Sequence, residues 1–133
     1  MTNEKLIKIA KEAREKSIAG ISEFKVGAVL LTKSGEVISG CNIEDPSGIG
    51  VTNICAERCA IVKALSEGNK DFDKIAVVGG RGDELVFCAP CGVCRQYLNS
   101  WSPGIKIILT DEKGKIKEYG LNELLPYSFN ENF

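Results

Sequence analysis

Apolar residues recur at roughly helical spacing over the first twenty positions, where Leu6, Ile9 or Ala10, Ala13 and Ile18 stand amid Lys and Glu. With Asn3 as N-cap and Gly20 as a stop, the pattern predicts an amphipathic first helix. The period then shortens. Positions 25–32 carry Val26, Ala28 and Leu30 as well as Val29 and Leu31, and Lys33-Ser34-Gly35-Glu36 turns the chain into 37–43, which predicts a hairpin of two strands. Positions 44–53 contain Asp45-Pro46-Ser47-Gly48 and Gly50, show no period, and read as a loop.

A second helix is predicted over 54–67, starting almost at Cys55, with Ala60, Ile61, Ala64 and Leu65 on one face and Gly68 beyond its end. Ile75-Ala76-Val77-Val78, within 74–78, has the unbroken apolarity of a strand covered on both faces. A short extended piece at 85–88 precedes a third helix over 91–100, closed by Pro103-Gly104. A buried strand at 105–110, a turn at 111–114, a strand at 116–119 and a short helix at 121–125, stopped by Pro126, complete the chain. Strands alternating with helices after an initial hairpin predict an α/β fold, a three-layer α/β/α sandwich whose mixed five-stranded sheet has helices on both faces. There is no internal repeat, low-complexity tract or linker, and 133 residues match one domain of about 150. A single catalytic unit spanning 1–133 is the expectation.

Composition narrows the function. Seventeen Lys and Arg against eighteen Asp and Glu leave a net charge of −1, without the electropositive excess that grips a phosphate backbone or an anionic membrane. Neither polymeric nucleic acid nor a membrane is an expected partner. The 44% hydrophobic content supports a core, and no apolar run approaches the roughly 18 residues that span a bilayer. The chain has no His and six Cys, which excludes imidazole-based triads and imidazole-ligated zinc. The charged start at 1–10 and the six thiols point to a reducing cytoplasm, where clustered Cys more often mean metal or redox chemistry than disulfides.

Cys91 and Cys94, three apart at a predicted helix start, can clasp one ion, and Cys55 opens another helix. Helix N-termini favour thiolates, and three thiolates leave one position of a tetrahedral zinc open, as catalytic sites require. Glu57, two residues beyond Cys55, is a carboxylate that can take and pass on a proton beside such a metal, provided Cys55 sits at an irregular helix end. A divalent ion with three thiolates carries one net negative charge, which a guanidinium at Arg58 would offset. Cys88-Ala89-Pro90-Cys91 is also a CxxC, so Cys55, Cys88, Cys91 and Cys94 could form a closed structural zinc site, or Cys88 and Cys91 a redox pair. Cys41 and Cys59 read as ordinary buried thiols.

Cys55-Ala56-Glu57 followed by Pro90-Cys91-Gly92-Val93-Cys94 closely resembles the zinc nucleoside deaminases, in particular the short homotetrameric cytidine deaminases with three Cys ligands. The resemblance extends over almost the whole chain through Ser22-x-Phe24-x-Val26-Gly27-Ala28, Gly40-Cys41-Asn42-Ile43-Glu44, and Glu123-Leu124-Leu125-Pro126 followed by Phe129. It implies one zinc per subunit on Cys55, Cys91 and Cys94, with Glu57 as catalytic proton shuttle. It further implies that Phe24, Asn42, Glu44 and Ala56 contact a nucleoside substrate, Asn42 and Glu44 at the ribose. Phe129 would stack on the base in a neighbouring subunit of a homotetramer with composite sites. The implied reaction is hydrolytic deamination of cytidine and 2′-deoxycytidine in pyrimidine salvage.

The chain departs from the family where Asp45-Pro46-Ser47-Gly48 replaces the usual Asn-Ala-Ser-Tyr, and where Ile21 stands in place of a Tyr. The C-terminal third, including Pro103-Gly104-Ile105-Lys106, also resembles blasticidin S deaminase, so deamination of a related aminonucleoside or modified cytidine is the competing enzymatic reading. A zinc-stabilised binding module is the non-enzymatic one.

Overall fold

The computed structural model describes residues 1–130 and orders its elements as α1 (Asn3–Arg14), β1 (Phe24–Thr32), β2 (Val37–Cys41), a 3-10 turn (Gly50–Thr52), α2 (Ala56–Ser66), β3 (Phe72–Arg81), β4 (Glu84–Val86), α3 (Gly92–Trp101), β5 (Lys106–Thr110), β6 (Ile116–Gly120) and α4 (Leu121–Leu124). Positions 131–133 of the expected single unit lie outside the described residues. Side-chain alternation along the central strands divides the core in two. Ala28 and Leu30 of β1, Ile75 and Val77 of β3, and Ile107 and Leu109 of β5 point to one face, where Ala56, Ala60, Ile61 and Ala64 of α2 and Leu98 of α3 cover them. Val29, Leu31, Ala76, Val78 and Ile108 point to the other, beneath Leu6, Ile7 and Ala10 of α1. This is the expected α/β/α sandwich.

The sheet runs β2-β1-β3-β5-β6, with β3 and β5 parallel and the other neighbours antiparallel. The five-stranded path matches the expectation, and the short β4 adds a sixth strand on β3 outside that path. β3 runs beyond the predicted 74–78, because Gly79, Gly80 and Arg81 still pair with Val26, Lys25 and Phe24. Glycines weaken the apparent strand signal while permitting close approach of other groups. β4 correspondingly lies at Glu84–Val86 rather than 85–88.

Two further expectations are corrected at the N-terminus. Thr2, not Asn3, caps α1, its side chain accepting a hydrogen bond from the Lys5 N–H. The helix also ends at Arg14 instead of continuing towards Gly20. Ile18, which fits the helical period, instead forms a parallel bridge with Ile43, and its backbone bonds to Asn42 and Glu44. Arg14 is buried at 5% exposure, and its guanidinium donates to the carbonyls of Lys25, Gly80 and Gly82, tying the end of α1 to β1 and to the β3–β4 turn.

The loop at 44–53 contains the 3-10 turn and is anchored by an antiparallel bridge between Ile43 and Ile54. Gly40 brings α2 close to β2: a Cβ there would lie 2.6 Å from the Ala60 nitrogen and 2.8 Å from the Ala56 oxygen.

Candidate active site

Two helix starts converge at one end of the sheet. Cys55 is the N-cap of α2 and Cys91 the N-cap of α3, both with extended backbone, while Cys94 sits fully buried in the first turn of α3. The three sulfurs lie within 4.8 Å of one another, with Cys55 and Cys91 at 3.8 Å. Tetrahedral zinc with Zn–S bonds of about 2.3 Å needs sulfurs about 3.8 Å apart, so the donor set fits the ion. Among the described residues Cys88 is not part of this group, which leaves the fourth coordination direction free of a protein thiol.

The electrostatics favour a thiolate at Cys55. A hydrogen bond from Cys94, followed by contact with the Arg58 guanidinium, pulls the Cys55 thiol down to about 5. The Arg58 Nη2 atom lies 3.3 Å from the Cys55 sulfur, and that sulfur in turn holds Arg58 more firmly charged. Cys94, as donor to a thiolate, is shifted upward. Burial, reinforced by the negative charge of Glu57, pushes Cys88 up to about 12 and keeps it a neutral thiol.

Glu57 occupies the second position of α2 at 4% exposure. Because Cys55 is the half-turned N-cap, residues two apart need not face away from each other, and the irregular helix end that the Cys55–Glu57 spacing requires is present. Burial, and secondarily the charge on Cys55, push the Glu57 carboxyl up to about 7. That places it where a group can both accept and return a proton near neutrality.

Glu57 looks into a cavity of about 290 Å³ also lined by Phe24, Val26, Asn42, Glu44, Asn53, Ile54, Cys55, Ala56, Cys88, Ala89 and Cys91. Phe24, Asn42, Glu44 and Ala56 are thus brought together with the sulfur cluster. Asn42 is largely committed already: its Oδ1 accepts from the Val26 N–H at 2.9 Å and from the Ser17 hydroxyl, and its Nδ2 donates to the Phe24 carbonyl at 2.8 Å. One amide hydrogen remains. Glu44 Oε1 accepts from the N–H groups of Ile21 and Ser22 at 3.0 and 3.1 Å. Hydrogen bonds from the Ser22 side chain and then its backbone hold the Glu44 carboxyl below its ordinary range.

Phe129 stands apart. It is 68% exposed and does not line its own chain's cavity, and its carbonyl accepts from Gln96 and Asn99 of α3 at 3.1 and 3.0 Å. Cys41 and Cys59 are half-buried rather than buried, lining a separate cavity of about 270 Å³ between α1, β2 and α2.

Sequence reasoning missed the lining role of Val26, Asn53, Ile54 and Ala89, which only tertiary pairing assembles. It also missed Arg95, whose Nε and Nη1 reach the carbonyls of Pro90 and Leu124, both at 2.7 Å, fixing the turn that delivers Cys91. Its place directly after Cys94 was the only available signal. Gly79 is a further omission: a Cβ there would meet the Cys88 sulfur at 2.6 Å and the Phe24 ring at 3.0 Å, so its bareness makes room for both lining side chains.

A family model described as the cytidine and deoxycytidylate deaminase zinc-binding region matches residues 1–110. The chain belongs to that deaminase family. A cytidine deaminase of Halalkalibacterium halodurans is 46% identical over 97% of this chain and 95% of its own length. A blasticidin-S deaminase of Bacillus cereus is 37% identical over 84% of this chain and 81% of its own. The crystal structure of a cytidine deaminase from Burkholderia pseudomallei superposes with a TM-score of 0.87 at 42% identity, covering 97% of this chain and all of that one. Membership is consistent with the three-sulfur cluster as this family's zinc-binding region.

Proposed function

We propose that the chain is a zinc-dependent hydrolase that converts cytidine and 2′-deoxycytidine to uridine and 2′-deoxyuridine with release of ammonia, in pyrimidine salvage. The observation that carries this reading is a buried Glu57 carboxyl lining one cavity together with Cys55 and Cys91, two members of a three-sulfur cluster that no fourth described Cys, His, Asp or Glu joins. Zinc on Cys55, Cys91 and Cys94, one ion per subunit, would supply the Lewis acidity that makes water a nucleophile near neutral pH. Glu57 would take one proton from the attacking water and deliver it to the pyrimidine ring nitrogen as the C–O bond forms at the amino-bearing carbon. It would then take the second proton from the new hydroxyl and pass it to the amine, so that the C–N bond breaks, the carbonyl forms and ammonia leaves. Its elevated protonation range, caused first by burial, suits both halves of that exchange.

Arg58 offsets the negative charge gathered on the sulfurs. Phe24 gives the base an apolar face, and Asn42, with its remaining amide hydrogen, and Glu44 meet the ribose hydroxyls. Ala56 lies beside Glu57 at the cavity wall. The reading places all of this in one catalytic domain, 1–133, assembled as a homotetramer in which Phe129 stacks on the base of a neighbouring site. Six free thiols suit a reducing cytoplasm. No described helix is long and apolar enough to cross a membrane.

The identity to a blasticidin-S deaminase favours a second reading, deamination of an aminonucleoside antibiotic. Loss of substrate absorbance, followed in parallel with cytidine, 2′-deoxycytidine, blasticidin S and free cytosine, separates the two. Glu57→Gln is expected to lower kcat on cytidine by about 10²–10⁴-fold with zinc content unchanged. Full activity in that variant would remove Glu57 from the chemistry, and turnover of blasticidin S without turnover of cytidine would retire the main reading.

A further inference from the structure

We propose that Arg81, which does not line the cavity, is a positioning residue for it, holding Phe24 and the Glu44 carboxylate in place for the nucleoside. The proposal rests on the reading above, in which those two residues meet the substrate. Arg81 is the last residue of β3 and stands directly across the ladder from Phe24, the first residue of β1. Its Nε donates to the Ser22 carbonyl at 3.1 Å, and its guanidinium carbon lies 6.0 Å from the centroid of the Phe24 ring, within cation–π range. Among the described residues it forms no ion pair with a carboxylate, so the charge is directed at the ring and at Ser22.

Ser22 is the junction. Its hydroxyl accepts from the Phe24 N–H at 3.0 Å, which fixes the start of the strand carrying the ring. Its N–H, with that of Ile21, donates to Glu44 Oε1, which fixes the carboxylate. The neighbouring Glu23 has φ 61°, a left-handed conformation that L side chains adopt at a cost, so this short segment needs outside anchorage to keep both bonds. Arg81 supplies it from the central strand. One side chain outside the cavity thereby constrains two residues that line it, one at the base and one at the sugar.

The test compares wild type with Arg81→Met, which keeps an apolar stem over the ring but loses the donor and the charge, and Arg81→Lys, which keeps the charge. In the ligand-free protein, hydrogen exchange at the Ile21 and Ser22 amides is expected to speed up in R81M and to return towards wild type in R81K. For cytidine turnover, R81M is expected to raise KM about five- to tenfold with kcat within about twofold of wild type, and R81K to recover most of the KM. Wild-type exchange at both amides in R81M would overturn the proposal, as would faster exchange with an unchanged KM, or a fall in kcat at constant KM. Wild-type protein inert towards cytidine would instead bring down the deaminase reading, and the amide measurement would still decide whether Arg81 holds this segment.

Discussion

At Asp45 a single carboxylate organises the loop that borders the cavity. Oδ1 accepts from the Ser47 N–H at 2.8 Å and its hydroxyl at 2.6 Å, and Oδ2 accepts from the Thr52 hydroxyl at 2.5 Å. The Asp45 N–H donates to Asn53 Oδ1 at 2.6 Å, linking the hub to a cavity-lining residue. Hydrogen bonds from the Ser47 side chain first, and from Thr52 next, lower the Asp45 carboxyl to about 2. A carboxyl depressed on folding stabilises the loop fully above its unfolded value of about 3.9, and that contribution is lost as pH falls through the folded value. The Asp45 side-chain carbon is therefore expected to titrate near pH 2 by NMR, with Thr52→Val moving the midpoint upward. A wild-type midpoint near 4 would contradict the hub.

Residue identity made part of this site legible and hid the rest. The spacing of Cys55, Cys91 and Cys94 with Glu57 carries its chemistry locally, because each sulfur sits on a helix start readable from the period. Asp45-Pro46-Ser47-Gly48 was legible as turn chemistry, but the reach to Thr52 depends on how the chain closes seven residues later. Asn42 reads as an ordinary strand end, yet its amide joins Ser17, Val26 and Phe24, three partners that only the sheet brings together.

Between elements, the decisive contact is α2 against β2 at Gly40, since α2 carries both the Cys55 cap and Glu57. A methyl group at Gly40 would meet helix backbone rather than a movable side-chain end. Gly40→Ala is expected to cost about 1–3 kcal/mol through overpacking and to push the start of α2 away from α3. Thermal unfolding reads the first effect, and faster zinc loss to a chelator reads the second. Unchanged zinc retention would mean that the helix shifts without opening the sulfur cluster. Element boundaries were legible where one period ruled and failed where two competed. Ile18 satisfies the helical pattern but is taken by the bridge to Ile43, and the end of β3 is disguised by Gly79 and Gly80, whose missing side chains remove the strand signal while making space for the site.

For the whole molecule, the chain leaves Ile18, Ile21, Ile43, Ile49, Val51 and Ile54 exposed, and five of these lie on or beside the segments that flank the cavity, with Val51 at 91% exposure. Apolar surface beside the cavity suits burial against another copy. Phe129 fits the same arrangement: α3, whose first turn carries Cys94, holds the Phe129 backbone through Gln96 and Asn99 while the residue remains 68% exposed and outside its own cavity. In the homotetramer proposed above, a ring presented in that way would complete the site of a second subunit. Sedimentation is expected to give about four times the 14.4 kDa chain mass. Phe129→Ala should keep that mass and the zinc content, yet raise KM for cytidine by roughly 5- to 150-fold, the loss of one base–aromatic stack of about 1–3 kcal/mol. A fully active monomer, or an unchanged KM in the tetrameric variant, would show that each chain builds its site alone.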